Sequence, residues 1–479
     1  MLIKGVRIID GTGAEARKAD VLISGDKISA IGDLSGRKDT ETIDGIGLTA
    51  APGFISTDTD IDHTLALLER PDQEDLLAQG ITTVIGGQAG VSLAPILRGD
   101  LHLLGKWTDP YCVNVGWNTI EEFLALLARR RLGVNFGTLT GFSTVREDIV
   151  RGTSRDASDP ERRAIERMIT ESLRDGSFGV SFDLDSPPER RVPYDELRAV
   201  ASAIARERGI AVVRPREGTA DSFREIVRLA EESSAIVCAA QPVLMDDAVY
   251  ARGVDQFGTA NRDLFFSASP FQRRRVPVAA FLPPAAEEHS FAAAVQRIPE
   301  WADEIERSLM RHSENAVANA VITHAARLPG AVGKTLEAFA RMRGCTLVQG
   351  VMKLMSLSGL HAVVSMEQSA AATASLFGRA RAIVALNGLA SPLAVAASLA
   401  EARGAPSLEE AIARMTSLPA DAFGIAGRGR IAEGHAADLV LFSDTNVRHV
   451  ILNGTSAVRD GAVTGARTGR VLKKTRSAS

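Results

Sequence analysis

Between Ile55 and Ser365 the hydrophobic pattern keeps switching period. Short apolar runs at Ile55, Thr82-Thr83-Val84-Ile85, Val134-Asn135-Phe136, Gly179–Phe182, Ile210–Val213, Ala235–Cys238 and Ala362–Ser365 alternate with amphipathic stretches such as Asp159–Asp175, Tyr194–Arg208 and Ser222–Glu232. Repeated strand–helix–strand units build a parallel sheet, because each parallel return needs a long crossover. At 479 residues a closed (β/α)8 TIM-like barrel is favoured. A doubly wound open sheet is the alternative, but no glycine-rich dinucleotide fingerprint follows an early strand.

The two ends read differently. Leu2–Asp10 is a strand closed by Gly11-Thr12-Gly13, and Val21–Gly32 is a hairpin turning at Gly25-Asp26. Strand character returns at Ala437–Phe442 and Val447–Leu452, followed by a turn at Asn453-Gly454 and a strand at Ser456–Arg459. The expected organisation is a small β-sandwich domain built from both termini, with the barrel inserted between them. Its parts are residues 1–51, the barrel at 52–425, and residues 426–479 with a tail.

Charge and cysteine usage narrow the function. A net charge of −4 and a pI near 6.1 give no electrostatic case for nucleic acid. The basic runs Arg273-Arg274-Arg275 and Lys473-Lys474-Thr475-Arg476 read as solvated surface. No apolar run reaches the roughly 18 residues that span a bilayer, so no membrane role is expected. Three scattered cysteines, Cys112, Cys238 and Cys345, speak against a disulfide framework. With no basic-then-apolar leader pattern at Met1, the expected compartment is the cytoplasm.

The segment Pro52-Gly53-Phe54-Ile55-Ser56-Thr57-Asp58-Thr59-Asp60 carries most of the functional information. Together with Gln79-Gly80-Ile81-Thr82-Thr83-Val84, Gly90–Pro95, Ser407–Ala411, Met415–Ala420, Gly427–Ile431 and Gly465–Leu472, it resembles the amidohydrolase superfamily. Within that superfamily the chain is most similar to the N-acyl-D-amino-acid deacylases, and the resemblance runs from the first strand to the last. It implies a metal-type barrel held in a small β-sandwich, with zinc as cofactor and a C–N hydrolase activity.

The positions that the resemblance assigns to chemistry are filled by other residues. Asp58 and Asp60 stand where the family has two zinc-binding histidines, and Ala89 stands where a bridging cysteine occurs in a G-N-C-G turn. Arg214 replaces the histidine of an H-x-R segment and Gln241 that of an S-H-L-K segment. Met366 aligns with the acid–base aspartate of an S-D-G segment, and Gly141-Phe142-Ser143-Thr144 replaces G-H-G-T. A hydrolytic zinc site needs three or four donors and an open position for water; alanine offers no donor and methionine cannot move a proton. No metal is therefore expected.

Three readings follow. In the first, the chain is a D-aminoacylase-like pseudoenzyme, a binding or assembly subunit for a small acylated amino-acid-like ligand, forming a homo-oligomer or a complex with an active relative. Arg214 then either forms an ion-pair cluster with Asp58 and Asp60 where the metal once sat, or points into solvent while the aspartates cap a loop. The second is an enzyme with a rebuilt site. Asp58, Asp60, Arg214 and Asp183 would be its machinery, either by holding a hard metal on Asp58 and Asp60 or by metal-free acid–base chemistry on a C–N bond. The third is an ordinary deacylase whose ligands lie elsewhere. Asp183 with Asp185 reads more simply as a solvated loop before Pro187-Pro188, and His63, His324 and His361 read as structural.

Overall fold

The computed structural model describes residues 1–37, 41–98, 101–110, 113–151, 155–216, 220–241, 247–257, 263–269, 273–283, 285–286, 291–367, 377, 381–401 and 406–475. Cys112, Pro270-Phe271 and Arg476 lie outside these residues. Eight parallel strand positions organise the middle of the chain: β1 (Phe54–Ser56), β2 (Ile81–Gly86), β3 (Asn135–Thr138, continuing as Thr140–Gly141), β4 (Gly179–Asp183), β5 (Ile210–Arg214), β6 (Ile236–Ala240), β7 (Leu264–Ala268) and β8 (Ala382–Val384). Each pairs with the next through β7, and β7 pairs with β8, all in parallel. The first and last positions meet, because Asp58 N–H and Ser56 Oγ both donate to Leu386 O (3.2 and 2.6 Å).

Helices between the strands form where the apolar spacing allows. Asp159–Asp175 buries Ile165, Ile169, Ser172 and Leu173 on one face, the i, i+4, i+7, i+8 spacing of a helix stripe. It starts where Glu161 accepts bonds from Ser158 N and Oγ (2.8 and 2.7 Å), and stops at Gly176. These boundaries match the sequence pattern, as do Tyr194–Arg206 and Ala220–Ser233 to within two residues.

Two parts depart from the expected plan. Ala362–Glu367 is a strand, but it lies between Arg273–Pro277 and Val321–Ala325 in a separate antiparallel layer inserted between β7 and β8. That layer has its own apolar core, including Val276, Ile322, Leu354, Val364 and Met366. The place in the parallel set is taken by β8, which the pattern did not suggest. The stretch from Phe265 is a buried strand, with Phe266 in the main core, and Arg273-Arg274-Arg275 opens the antiparallel layer.

Both chain ends join in one nine-stranded sheet. Leu439–Ser443 pairs antiparallel with Thr49–Pro52 (Val440 opposite Ala51), and Thr49–Pro52 pairs parallel with Leu2–Ile8. The turn at Asn453-Gly454 has φ of 49° and 78°, the left-handed pair that a two-residue hairpin needs. A β-carbon at Gly454 would run into Gly25 O, so the two hairpin turns pack directly on each other. Cys238 and Cys345 are free thiols. Among the described residues no helix is long and apolar enough to cross a membrane.

Candidate functional site

Parallel strands deliver their last residues to one side of the sheet. There β1 leads to Asp58 and Asp60, β2 to Gly87–Gly90, β3 to Ser143, β4 ends in Asp183, β5 ends in Arg214, β6 leads to Gln241 and β8 to Asn387. Asp183 and Arg214 are register partners across β4 and β5. Paired residues on neighbouring parallel strands project to the same face, and so these two side chains meet.

Arg214 is the hub. One guanidinium nitrogen lies 3.7 Å from Asp58 Oδ1 and the other 3.7 Å from Asp183 Oδ2. Lys106, at the end of a 3-10 turn (His102–Lys106), brings Nζ to 3.6 Å from the same Asp183 oxygen. Asp60 turns instead to His63, at 3.5 Å from Nδ1. The His63 ring is fully buried, stacks on Trp107 at 4.1 Å between centroids, and its Nε2 lies 3.0 Å from Val91 O. Lys106 Nζ sits over the same tryptophan, 4.3 Å from its centroid. The result is a row of alternating charge, Asp58–Arg214–Asp183–Lys106, with the Asp60–His63 pair behind it.

The environment drives these groups apart in proton affinity. A third of the Asp58 side chain meets solvent, yet the carboxyl lies deep in the mouth. Burial pushes its pKa up to about 7, with Arg214 opposing and Asp60 adding to the rise. Burial also acts on Asp60, but the hydrogen bond and charge of His63 outweigh it and hold this carboxyl below its usual range. Burial lowers the Lys106 ammonium; Asp183 opposes the shift and the like charge of Arg214 adds to it. The antiparallel layer contributes Arg275, whose charge reaches Asp58 and Asp60.

The sequence of the Amidohydrolase family matches residues 358–457. A D-aminoacylase from Alcaligenes xylosoxydans xylosoxydans is 27% identical, over 99% of this chain and 98% of its own. An N-acyl-D-aspartate deacylase from the same organism is 29% identical, over 98% and 94%. The chain resembles the D-aminoacylases and N-acyl-D-amino-acid deacylases along its whole length. Its fold also matches the N-acyl-D-glutamate deacylase of Bordetella bronchiseptica, solved with zinc and a phosphonate mimic of the tetrahedral intermediate. The TM-score is 0.79 at 24% identity, over 98% of this chain and 99% of that one.

Only some of the sequence-predicted site residues come together. Asp58, Asp183 and Arg214 come together, but Arg214 pairs with Asp183 where the sequence suggested Asp60. Asp183 is 6% exposed and is no solvated loop residue, while Asp185 lies outside the cluster. Ala89 sits in the turn after β2 with φ of 54° and brings no donor. Gln241 accepts a 2.7 Å bond from Arg274 Nη2. Met366 is fully buried in the core of the antiparallel layer, not at the strand ends. The residue following β8 is Asn387, whose amide donates to Arg273 O (3.1 Å) and accepts from Leu389 N (2.9 Å). Asn387, and not Met366, is the polar residue that follows a parallel strand at this side of the sheet. Among the described residues no three His, Cys, Asp or Glu side chains form a group able to hold a metal ion.

His324 reaches Thr108 Oγ1 (3.0 Å) and His361 reaches Gly105 O (2.5 Å), so both anchor the turn that carries Lys106. Sequence reasoning passed over Lys106, Trp107 and Glu189. Glu189 is fully buried, takes N–H bonds from Ser143 (3.0 Å) and Asp183 (2.7 Å), and accepts the Ser143 hydroxyl. A β-carbon at Gly90 would run into its carboxylate, so that glycine is required.

Burial pushes Glu189 to about 7 from 4.5, and the sign of its effect follows by proton linkage. Between those values the folded state holds a proton the unfolded state releases, so stability falls as pH rises. The size is about 3 kcal/mol. His63, raised chiefly by Asp62 and Asp60 against its burial, adds the same sign above its usual value. Asp58 adds it more weakly, because a third of its side chain meets solvent. Urea unfolding at pH 5 and pH 8 is expected to give the lower stability at pH 8, and Glu189→Gln to flatten the slope. An unchanged slope in the variant would remove Glu189 from this account.

Proposed function

We propose that this chain is a metal-free binding member of its family: a (β/α)8 barrel inserted into a terminal β-sandwich domain, with the zinc centre replaced by an internal ion-pair cluster. It would act as a pseudoenzyme or binding subunit for a small acylated amino-acid-like ligand. The observation that carries this reading is the Arg214 guanidinium held between Asp58 and Asp183 at 3.7 Å from each.

The residues present do not fit a zinc ion. Asp58 is already facing a permanent cation, Asp60 faces His63, Ala89 supplies no donor, and Gln241 is engaged by Arg274. A dication entering this mouth meets the unreleasable charge of Arg214 and lacks the nitrogen and sulfur donors zinc prefers. No hydrolytic step is therefore routed through a metal.

One observation favours a second reading. Asp58 and Asp60 have proton affinities driven in opposite directions, the arrangement that lets two neighbouring carboxyls divide acid and base roles. A rebuilt enzyme would use Asp58, ionising near neutrality, to exchange a proton with a substrate amide. Asp58→Ala separates the two readings. If the chain turns over an amide, the variant is expected to lose about 10²-fold or more in kcat. A D-amino-acid amide panel showing no turnover by the parent protein supports the binding reading, and full activity in the variant sinks the rebuilt site.

A further inference from the structure

The row Asp58–Arg214–Asp183–Lys106 has an unusual feature for groups so close together. Every spacing in it is 3.6 or 3.7 Å, an ion-pair distance longer than a hydrogen bond. The partners of the two cations are held at long range: Asp58 and Asp183 for Arg214, and Asp183, through a long hydrogen bond, for Lys106. Arg214 carries five N–H donors and Lys106 three, and both cations aim at one oxygen of one carboxylate, Asp183 Oδ2. Arg214 is 13% exposed and Lys106 23%, so the donors are held in a recess, short of bulk water. Arg275 lies on the antiparallel layer, opposite Ser365, and its charge bears on the same mouth.

We infer that Arg214 and Lys106 form a two-cation seat for the carboxylate of a small organic acid. The ligand would bind with its charged end at the former metal position. The inference rests on the metal-free reading above, since a resident dication would compete for the same space. A planar carboxylate between the two cations accepts an N–H bond from each, at shorter range than Asp183 Oδ2 does. The guanidinium fork suits two-pronged contact with such a group, and the Trp107 face under Lys106 holds the ammonium in place. This reverses the polarity of a hydrolase centre: a metal there polarises a neutral carbonyl, whereas this seat selects a full negative charge.

Calorimetric titration of the intact protein with N-acetyl-D-leucine and with its methyl ester tests the inference. The two probes differ in the charge of one group. The acid is expected to bind and the ester to bind about tenfold more weakly or less. Lys106→Gln and Arg214→Gln are each expected to weaken the acid by about tenfold or more and leave the ester unaffected. Equal binding of acid and ester overturns the seat, as does no binding of the acid, or unchanged acid affinity in a folded Lys106→Gln protein. If Arg214→Gln fails to fold, the acid–ester comparison and Lys106→Gln still decide. Zinc analysis of the same sample fails separately: stoichiometric zinc sinks the metal-free reading, whatever the titrations give.

Discussion

Expressed and purified with zinc present throughout, the protein is expected to retain less than about a tenth of a zinc ion per chain. Its turnover of N-acyl-D-amino acids is expected to fall on the order of 10⁴-fold or more below that of a zinc-loaded relative. The reason is electrostatic as much as coordinative. A hydrolytic metal lowers the pKa of bound water and polarises the carbonyl, and both effects need a dication with an open position. Here the nearest positive charge to Asp58 is a guanidinium that cannot accept a lone pair or release a proton near neutrality. Elemental analysis after dialysis, together with a sensitive amine-release assay, measures both quantities. One zinc per chain with turnover restored would overturn the reading. Arg214→Ala probes the same point from the other side. With the guanidinium gone, Asp58 and Asp183 are expected to gain weak affinity for a hard cation such as Mn²⁺.

Arg428→Met is expected to destabilise the fold by about 3–5 kcal/mol, the largest stability effect among the substitutions considered. Arg428 is 8% exposed and forms a salt bridge with the buried Asp438. Its other arm donates to Asn453 Oδ1 (2.8 Å). Asp438 Oδ1 takes the Asn453 N–H (2.7 Å), and its Oδ2 takes the Asn135 amide (3.0 Å). Asn453 in turn donates to Asn135 Oδ1 (2.8 Å) and Thr468 O (2.7 Å). Removing the cation leaves a buried carboxylate with amide partners alone, and an uncompensated buried charge costs more than the pair itself contributes. Equilibrium urea unfolding of parent and variant measures the loss. A change under about 1 kcal/mol would mean that water reaches Asp438 in the variant.

This network also explains motifs that looked merely conspicuous in the sequence. Asn453 and Arg470 bond Asn135 directly and Arg428 reaches it through Asp438, so these segments form a joint between the terminal sheet and β3. The terminal strands were legible because hairpin turns and alternating apolar residues are local signals. Ala362–Ser365 was misplaced for a physical reason: a strand buried on both faces reads the same in a parallel or an antiparallel setting. β8 spans only Ala382–Val384, too short to display a period.

The site divides similarly. Asp58 and Asp60 stood out because they interrupt a motif, and Arg214 because it ends an apolar run. Asp183 as the partner of Arg214 depends on the register of β4 against β5, which no single segment encodes. Lys106 arrives on a five-residue 3-10 turn whose position is fixed by His324, His361 and Trp107, residues distant in the chain or silent in the pattern. Met366 lies away from the strand ends because it belongs to the antiparallel layer between β7 and β8, which was not foreseen.

The pairing of Thr49–Pro52 with Leu439–Ser443 has a consequence for synthesis. A ribosome delivers residues 1–52 long before residues 439–443, so the early strands wait with one edge unpaired while almost 390 further residues are made. Contacts of such high sequence separation form slowly, and open strand edges invite association between nascent chains. Production of this protein should therefore be sensitive to growth temperature and chaperone supply, with slower translation and cooler growth raising the folded yield.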